Sequence, residues 1–203
     1  MSAKVKICGL RTRAAARVAF AEGADFLGFN FIPTSKRYIT QDKAKEIIGE
    51  LPKEVKVVGV FQNESIEEIK KAIDSLKLDF VQLHGDESPE YHGLTQYAGV
   101  IKVFSLESDF DLPKTISEME KYDVDYFLVD RKYQGRGEPL DPERVRGLTS
   151  LFPIILAGGL TVENVKETVR IAQPFAVDVA GGVETEGEQD LEKIKEFIRR
   201  AKK

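Results

Sequence analysis

The run Pro153-Ile154-Ile155-Leu156-Ala157-Gly158-Gly159-Leu160-Thr161-Val162 compresses one structural unit into a short span. Its first half is unbroken apolar sequence between a proline and a Gly-Gly pair, the pattern of a short strand buried on both faces. Thr161 then stands where a helix N-cap belongs, with Asn164 three positions on, ahead of a segment reading as helix from Val162 to Ile171. A buried strand followed at once by a capped helix is the repeating half of a parallel crossover unit.

Outward from that stretch the same alternation recurs. Apolar runs occur at Lys4–Leu10, Asp25–Phe31, Lys56–Phe61, Phe80–Leu83, Val100–Leu106, Tyr126–Asp130, Pro153–Ala157 and Ala176–Val179. Helix starts lie between them. Thr40 precedes Asp42–Ile48, Ser65 precedes Ile66–Leu76 with Glu68 completing a capping box, and Asp141-Pro142 sets a cap before a first-turn proline. Gln189 or Asp190 opens a last helix through Ala201, whose Leu191, Ile194, Phe197, Ile198 and Ala201 fall at helical spacing. The fifth unit is least regular: Asp109–Lys114 has no strong period, and only Thr115–Tyr122 reads as a short helix. Eight strands is the closing number for a barrel, so the expected architecture is α/β, one (β/α)8 barrel domain over residues 1–203. A doubly wound open sheet is the alternative, normally with fewer strands.

Acidic and basic residues, 34 and 30, are mixed along the chain for a net charge of −4, without the basic stripe that nucleic-acid binding requires. No apolar stretch approaches the ~20 residues that span a membrane. A single cysteine rules out an intrachain disulfide, and Met-Ser-Ala-Lys does not begin a secretory signal, so a cytoplasmic protein is expected. The 32% charged content, with two Met and no Trp, suits a thermophile. Monomer and homodimer are both open.

In a barrel of this kind the active site lies at the carboxyl ends of the strands. The first strand ends in Cys8-Gly9, so the lone thiol is either a small buried filler or a reactive group at the mouth. Gly158-Gly159 and Gly181-Gly182 follow strands seven and eight, where bare amides can cradle a phosphate, although glycines also simply turn a chain. Asp130 ends strand six, where desolvation would raise its pKa into the range of a general acid unless it only caps the turn. Asp178, just ahead of the last glycine loop, is expected to hold that loop or a neighbouring amide. Arg37 is a solvated charge or, turned inward, a fork for a carboxylate. His84 is a satisfied polar residue of the barrel wall or an imidazolium favouring the Cys8 thiolate.

These residues carry a resemblance. Lys6-Ile7-Cys8-Gly9-Leu10, Gly28-Phe29-Asn30-Phe31 with Ser35-Lys36-Arg37-Tyr38, Val81-Gln82-Leu83-His84-Gly85, Leu156-Ala157-Gly158-Gly159-Leu160, and Pro174–Val179 before Gly182-Val183-Glu184 resemble, in order and over the whole chain, the phosphoribosylanthranilate isomerases of tryptophan biosynthesis. The resemblance implies an Amadori rearrangement of N-(5'-phosphoribosyl)anthranilate to 1-(2-carboxyphenylamino)-1-deoxyribulose 5-phosphate, with no metal and no organic cofactor. It implies Cys8 as general base, Asp130 as general acid, Arg37 for the anthranilate carboxylate and the glycine loops for phosphate. The substrate-binding set is then Arg37, His84, Gly158, Gly159, Asp178, Gly181 and Gly182. Two departures stand out: Gly135-Arg136-Gly137-Glu138-Pro139-Leu140-Asp141 after strand six, and Ala180-Gly181 where relatives carry serines.

Rival readings differ in what they require. A metal-dependent sugar-phosphate epimerase needs two histidines and two acids at strand ends, and only His84 and His92 are present. An isomerase of the histidine-pathway aminoaldose would use an acid where Cys8 stands. A non-catalytic phosphate-binding barrel would keep the glycine loops without needing Cys8 and Asp130 together.

Overall fold

A computed structural model describes residues 3–131 and 140–203. Eight parallel strands close in sequence order into a barrel: β1 (Lys4–Ile7), β2 (Phe26–Asn30), β3 (Lys56–Phe61), β4 (Phe80–Leu83), β5 (Gly99–Leu106), β6 (Tyr126–Arg131), β7 (Ile154–Leu156) and β8 (Ala176–Val179), with β8 pairing back on β1. The open sheet is thereby excluded. Around the barrel lie α1 (Arg13–Ala21), α2 (Gln41–Ile48), α3 (Ile66–Leu76), α4 (Leu112–Met119), α5 (Pro142–Thr149), α6 (Val165–Ala172) and α7 (Leu191–Ala201). A small hairpin, β9 (Glu184–Thr185) and β10 (Glu188–Gln189), precedes α7.

Most helix starts follow the capping residues. Thr40, Ser65, Asp141 and Asp190 each accept a backbone N–H from the first turn of α2, α3, α5 and α7. Ile194, Phe197, Ile198 and Ala201 of α7 are buried as their spacing requires. Three units are irregular. After β4, where the sequence marks no capped helix, the chain forms a 3-10 helix, Pro89–Gln96, that opens on its proline. In the fifth unit Asp111 caps the helix through the Lys114 N–H (3.0 Å), so α4 begins at Leu112 and ends at Met119, short of Tyr122. After β7, Thr161 N–H donates to Asn164 Oδ1 (2.8 Å) and Glu163 N–H to Thr161 Oγ1 (3.2 Å), and the regular helix starts only at Val165.

The two-residue period of the strands sorts their side chains. Val5 and Ile7 face the helices, while Lys6 and Cys8 share the opposite face, toward the barrel interior. That interior is lined by Phe26, Val58, Ile101, Val103, Leu128, Ile155, Ala157 and Ala176. Its amino end is plugged by aromatic rings. Phe26 and Phe80 meet edge to face at 5.6 Å, Tyr126 stacks on Phe175 at 4.5 Å, and the Lys4 ammonium lies 5.0 Å from the Phe175 centroid. Around this floor three aspartates secure neighbouring strands: Asp25, Asp79 and Asp125 accept the backbone N–H groups of Val5 (2.9 Å), Val57 (3.0 Å) and Val100 (2.8 Å). The closed floor leaves the carboxyl end as the mouth.

Candidate active site

A cleft of about 520 Å³ opens at that mouth, and its walls contain Arg37, Asp130, Gly158, Gly159, Asp178, Gly181 and Gly182 together with Arg131 and Thr161. Residues spread over most of the chain thus meet at one place. Cys8 and His84 are not among the residues that line this cleft; Cys8 follows Lys6 on the inward face of β1, and Lys6 is bonded to the cleft-lining Asp178. Among the described residues no group of three His, Cys, Asp or Glu side chains is arranged to hold a metal ion.

Asp130 lies near the end of β6, 9% exposed, with Oδ1 accepting the Arg131 N–H at 2.7 Å. Burial, then the nearby Asp178 carboxylate, push its pKa up to about 6, against the lowering pull of the Arg131 N–H and the Arg131 and Lys6 charges. Gly158 makes room for it. A Cβ there would lie 2.8 Å from Asp130 Oδ1, and φ is +84°, so a side chain is opposed by space and by backbone conformation alike.

On β1, Lys6 stands in direct register with Asp178 of β8, and its Nζ donates to Asp178 Oδ1 at 2.9 Å with no exposure of the lysine at all. Asp178 therefore holds an ammonium group, where sequence reasoning expected the loop or an amide. Lys6 itself was missed, although the alternation that turns Cys8 inward turns Lys6 inward too. Burial disfavours its charge, yet Asp178 and Cys8 together hold the Lys6 pKa above its ordinary value. Cys8 is half-buried. Desolvation raises its thiol pKa, while the Lys6 ammonium draws it down without cancelling the rise. Gly28, on the neighbouring strand, leaves space for the thiol: a Cβ there would come 2.9 Å from Cys8 Sγ.

Of the two readings open for His84, its surroundings favour the uncharged one. Burial and then the Lys6 charge lower its pKa, so the ring is neutral near pH 7, and the cation beside Cys8 is Lys6. Its Nδ1 lies 3.2 Å from Gln82 Nε2. With that amide donating, the ring proton sits on Nε2.

Arg37 is turned inward, as a carboxylate receptor requires, but it is already gripped. Its Nε and Nη2 donate to Glu184 Oε1 and Oε2 at 2.8 and 2.6 Å. Two of its five N–H groups are used, which leaves three for a second anion. The Arg37 stem lies across Gly9, where a Cβ would come 2.5 Å from Arg37 Cδ. Glu184 was given no role in the sequence reading. It belongs to the hairpin that binds the mouth together: Gln189 Nε2 donates to the Gly9 carbonyl (3.2 Å), and Arg11 Nη2 to the Gly187 carbonyl (2.6 Å).

The two glycine loops touch each other. A Cβ on Gly182 would fall 1.9 Å from the Leu160 carbonyl oxygen, a contact that excludes any side chain. Gly159 has φ +80° and lies under the Arg131 guanidinium, which a Cβ there would approach to 2.9 Å. Both loops border the cleft. Gly135 and Gly137, with the rest of the altered segment up to Pro139, lie outside the described residues.

Comparison with known proteins adds an independent line. Residues 5–200 match the family model described as N-(5'phosphoribosyl)anthranilate (PRA) isomerase. A curated relative, the N-(5'-phosphoribosyl)anthranilate isomerase of Thermoanaerobacter sp. (strain X514), is 41% identical over 203 residues, with 98% of each chain covered. The crystal structure of phosphoribosyl anthranilate isomerase from Thermotoga maritima superposes with a TM-score of 0.89 at 37% identity over 98% of both chains. Another solved structure, of a phosphoribosyl anthranilate isomerase in complex with reduced 1-(o-carboxyphenylamino)-1-deoxyribulose 5-phosphate, gives 0.87 at 36% identity and the same coverage.

Proposed function

The chain belongs to the N-(5'-phosphoribosyl)anthranilate isomerase family, and from that premise we propose which of its side chains carry the reaction. The reaction is the aldose–ketose isomerisation of tryptophan biosynthesis, N-(5'-phosphoribosyl)anthranilate to 1-(2-carboxyphenylamino)-1-deoxyribulose 5-phosphate. Asp130 is the general acid: it protonates the furanose ring oxygen, and the ring opens to a protonated imine. Cys8, as thiolate, is the general base: it takes the proton from the adjacent sugar carbon, the electron pair passes toward the imine nitrogen, and the enolamine tautomerises to the ketone. The imine is the electron sink for the carbanion.

Binding divides between the two sides of the cleft. The three remaining N–H groups of Arg37 take the anthranilate carboxylate, with Glu184 fixing the plane of the guanidinium. Gly158, Gly159, Gly181 and Gly182 offer bare backbone to the phosphate, and neutral His84 donates from Nε2 toward the sugar. The work is expected in the cytoplasm, by a monomer or homodimer; among the described residues no helix is long and apolar enough to cross a membrane.

The observation that carries the reading is Asp130, a buried carboxyl held near pKa 6 at the lip of the cleft. Because the Cys8 thiol is raised as well, the active form pairs a thiolate with a protonated acid against their order of pKa values. Below about pH 6 the thiolate fraction falls tenfold per unit while Asp130 stays protonated. Above the thiol pKa the protonated Asp130 fraction falls instead, and between the two the opposing trends cancel. A profile of kcat/KM against pH should therefore be bell-shaped with a broad top and an acid limb near pH 6. A profile flat from pH 5 to 10, with chemistry rate-limiting, contradicts the pairing.

A further inference from the structure

Lys6 is a charge buried completely inside a barrel whose interior is lined largely by apolar side chains, Val58, Ile101, Leu128 and Ile155 among them. An apolar residue there would pack with its neighbours at no desolvation cost, whereas a buried ammonium costs several kcal/mol unless its donors are met. Asp178 Oδ1 meets one of the three N–H donors of Nζ. Cys8 is the next residue along the same inward face, and the Lys6 charge is the chief influence opposing the rise of its thiol pKa.

The chemistry has a use for that charge. In the step that moves the sugar proton, the sulfur is anionic inside a wall of low polarity and needs a positive counter-charge in contact. Among the described residues, the titratable groups at this end of the barrel include His84 just after β4, which is neutral; Arg37 from the loop after β2, bound to both oxygens of Glu184; Asp130 of β6, an acid; and Asp178 of β8. Arg131 lies farther round the mouth, over Gly159. We propose that Lys6, anchored by Asp178, is the positioning residue of the base: its ammonium is the counter-charge that holds the Cys8 sulfur as an anion beside the substrate. The proposal rests on Cys8 being the base. It also explains why β1 and β8 are paired with Lys6 opposite Asp178, since that register puts the anchor under the ammonium.

Because the chain has one cysteine, iodoacetamide reports on Cys8 alone, independently of turnover. In Lys6→Gln the pH midpoint of alkylation should rise by about one unit or more. The alkaline limb of kcat/KM should rise with it, and the plateau should fall about tenfold or more, since the thiolate is scarcer at each pH. Should the lone Asp178 carboxylate prevent folding, Lys6→Gln/Asp178→Asn removes both charges together, and its midpoint should rise by less than in the single variant. An unmoved midpoint in a variant with a normal cooperative melt, while Cys8→Ser is inactive, overturns the role of Lys6 alone. Near-normal turnover by Cys8→Ser overturns the base assignment and this proposal with it.

Discussion

At the amino end of the barrel Asp25, Asp79 and Asp125 each accept a backbone N–H from the neighbouring strand, and the first two also meet a lysine, Lys202 at 3.0 Å and Lys56 at 2.8 Å. At the carboxyl end Asp130 has its own neighbour's N–H, a second carboxylate close by and little water, and its pKa is raised to about 6. The same residue type at the two ends of the same strands is used in opposite ways. At the floor a carboxylate accepts hydrogen bonds and so secures the strands. At the mouth the environment disfavours the charge, so folding stability is given up for a proton held ready to donate.

This contrast can be broken by substitutions at either end. The largest effect on turnover within the contrast is expected for Asp130→Asn, which should lower kcat by ~10²–10⁴. The same change should raise stability. A carboxyl whose folded pKa is about 6 against an unfolded 3.8 loses stability as pH rises between those values, by about 3 kcal/mol at most, and asparagine does not. Denaturant titrations should show Asp130→Asn more stable than wild type at pH 8, with the gain shrinking to nothing toward pH 4. Equal or lower stability at pH 8 would mean that Asp130 is not strained by its surroundings.

Gly158→Ala should blur the two ends, because φ +84° opposes the methyl group and Asp130 Oδ1 occupies its place. Its cost should be about 1–3 kcal/mol of stability, with activity falling as well. Gly187→Ala is the control: φ is +82° but nothing lies within 4 Å of the added carbon, so a similar strain should leave kcat alone. Asp79→Ala, at the floor, should cost about 1–3 kcal/mol through the lost bond to Val57 N–H, with kcat per folded molecule unchanged. A large fall in kcat for Asp79→Ala would erase the division of labour between the ends.

Much of this was legible in the chain before its structure. The eight apolar runs predict the eight strands, and caps such as Ser65 and Asp190 mark helix starts because one side-chain oxygen meets a specific orphan N–H. α1 went unremarked because its buried face is made of Ala15, Ala16 and Ala19, too small to print an apolar stripe. The start of α4 is hidden because Asp111-Leu112-Pro113 looks like a loop until the cap is counted. At the site, strand ends located Cys8 and Asp130. Lys6 was passed over because lysine is almost always solvated, and only the inward face of β1 overrules that habit. Glu184 meets Arg37 across 147 positions of sequence, a distance that no local pattern bridges. The charge of His84 stays open in the sequence for a similar reason: burial and then Lys6, on another strand, lower its pKa, and neither is a local feature.

The central claim is that the thiol of the first strand is the proton acceptor. It is tested most directly by following the loss of anthranilate fluorescence when freshly made N-(5'-phosphoribosyl)anthranilate is mixed with wild-type protein and with Cys8→Ser. The account predicts rapid conversion by the wild type and a rate lower by ~10²-fold or more in the variant, with substrate binding retained. Turnover by Cys8→Ser within a few-fold of wild type would contradict it.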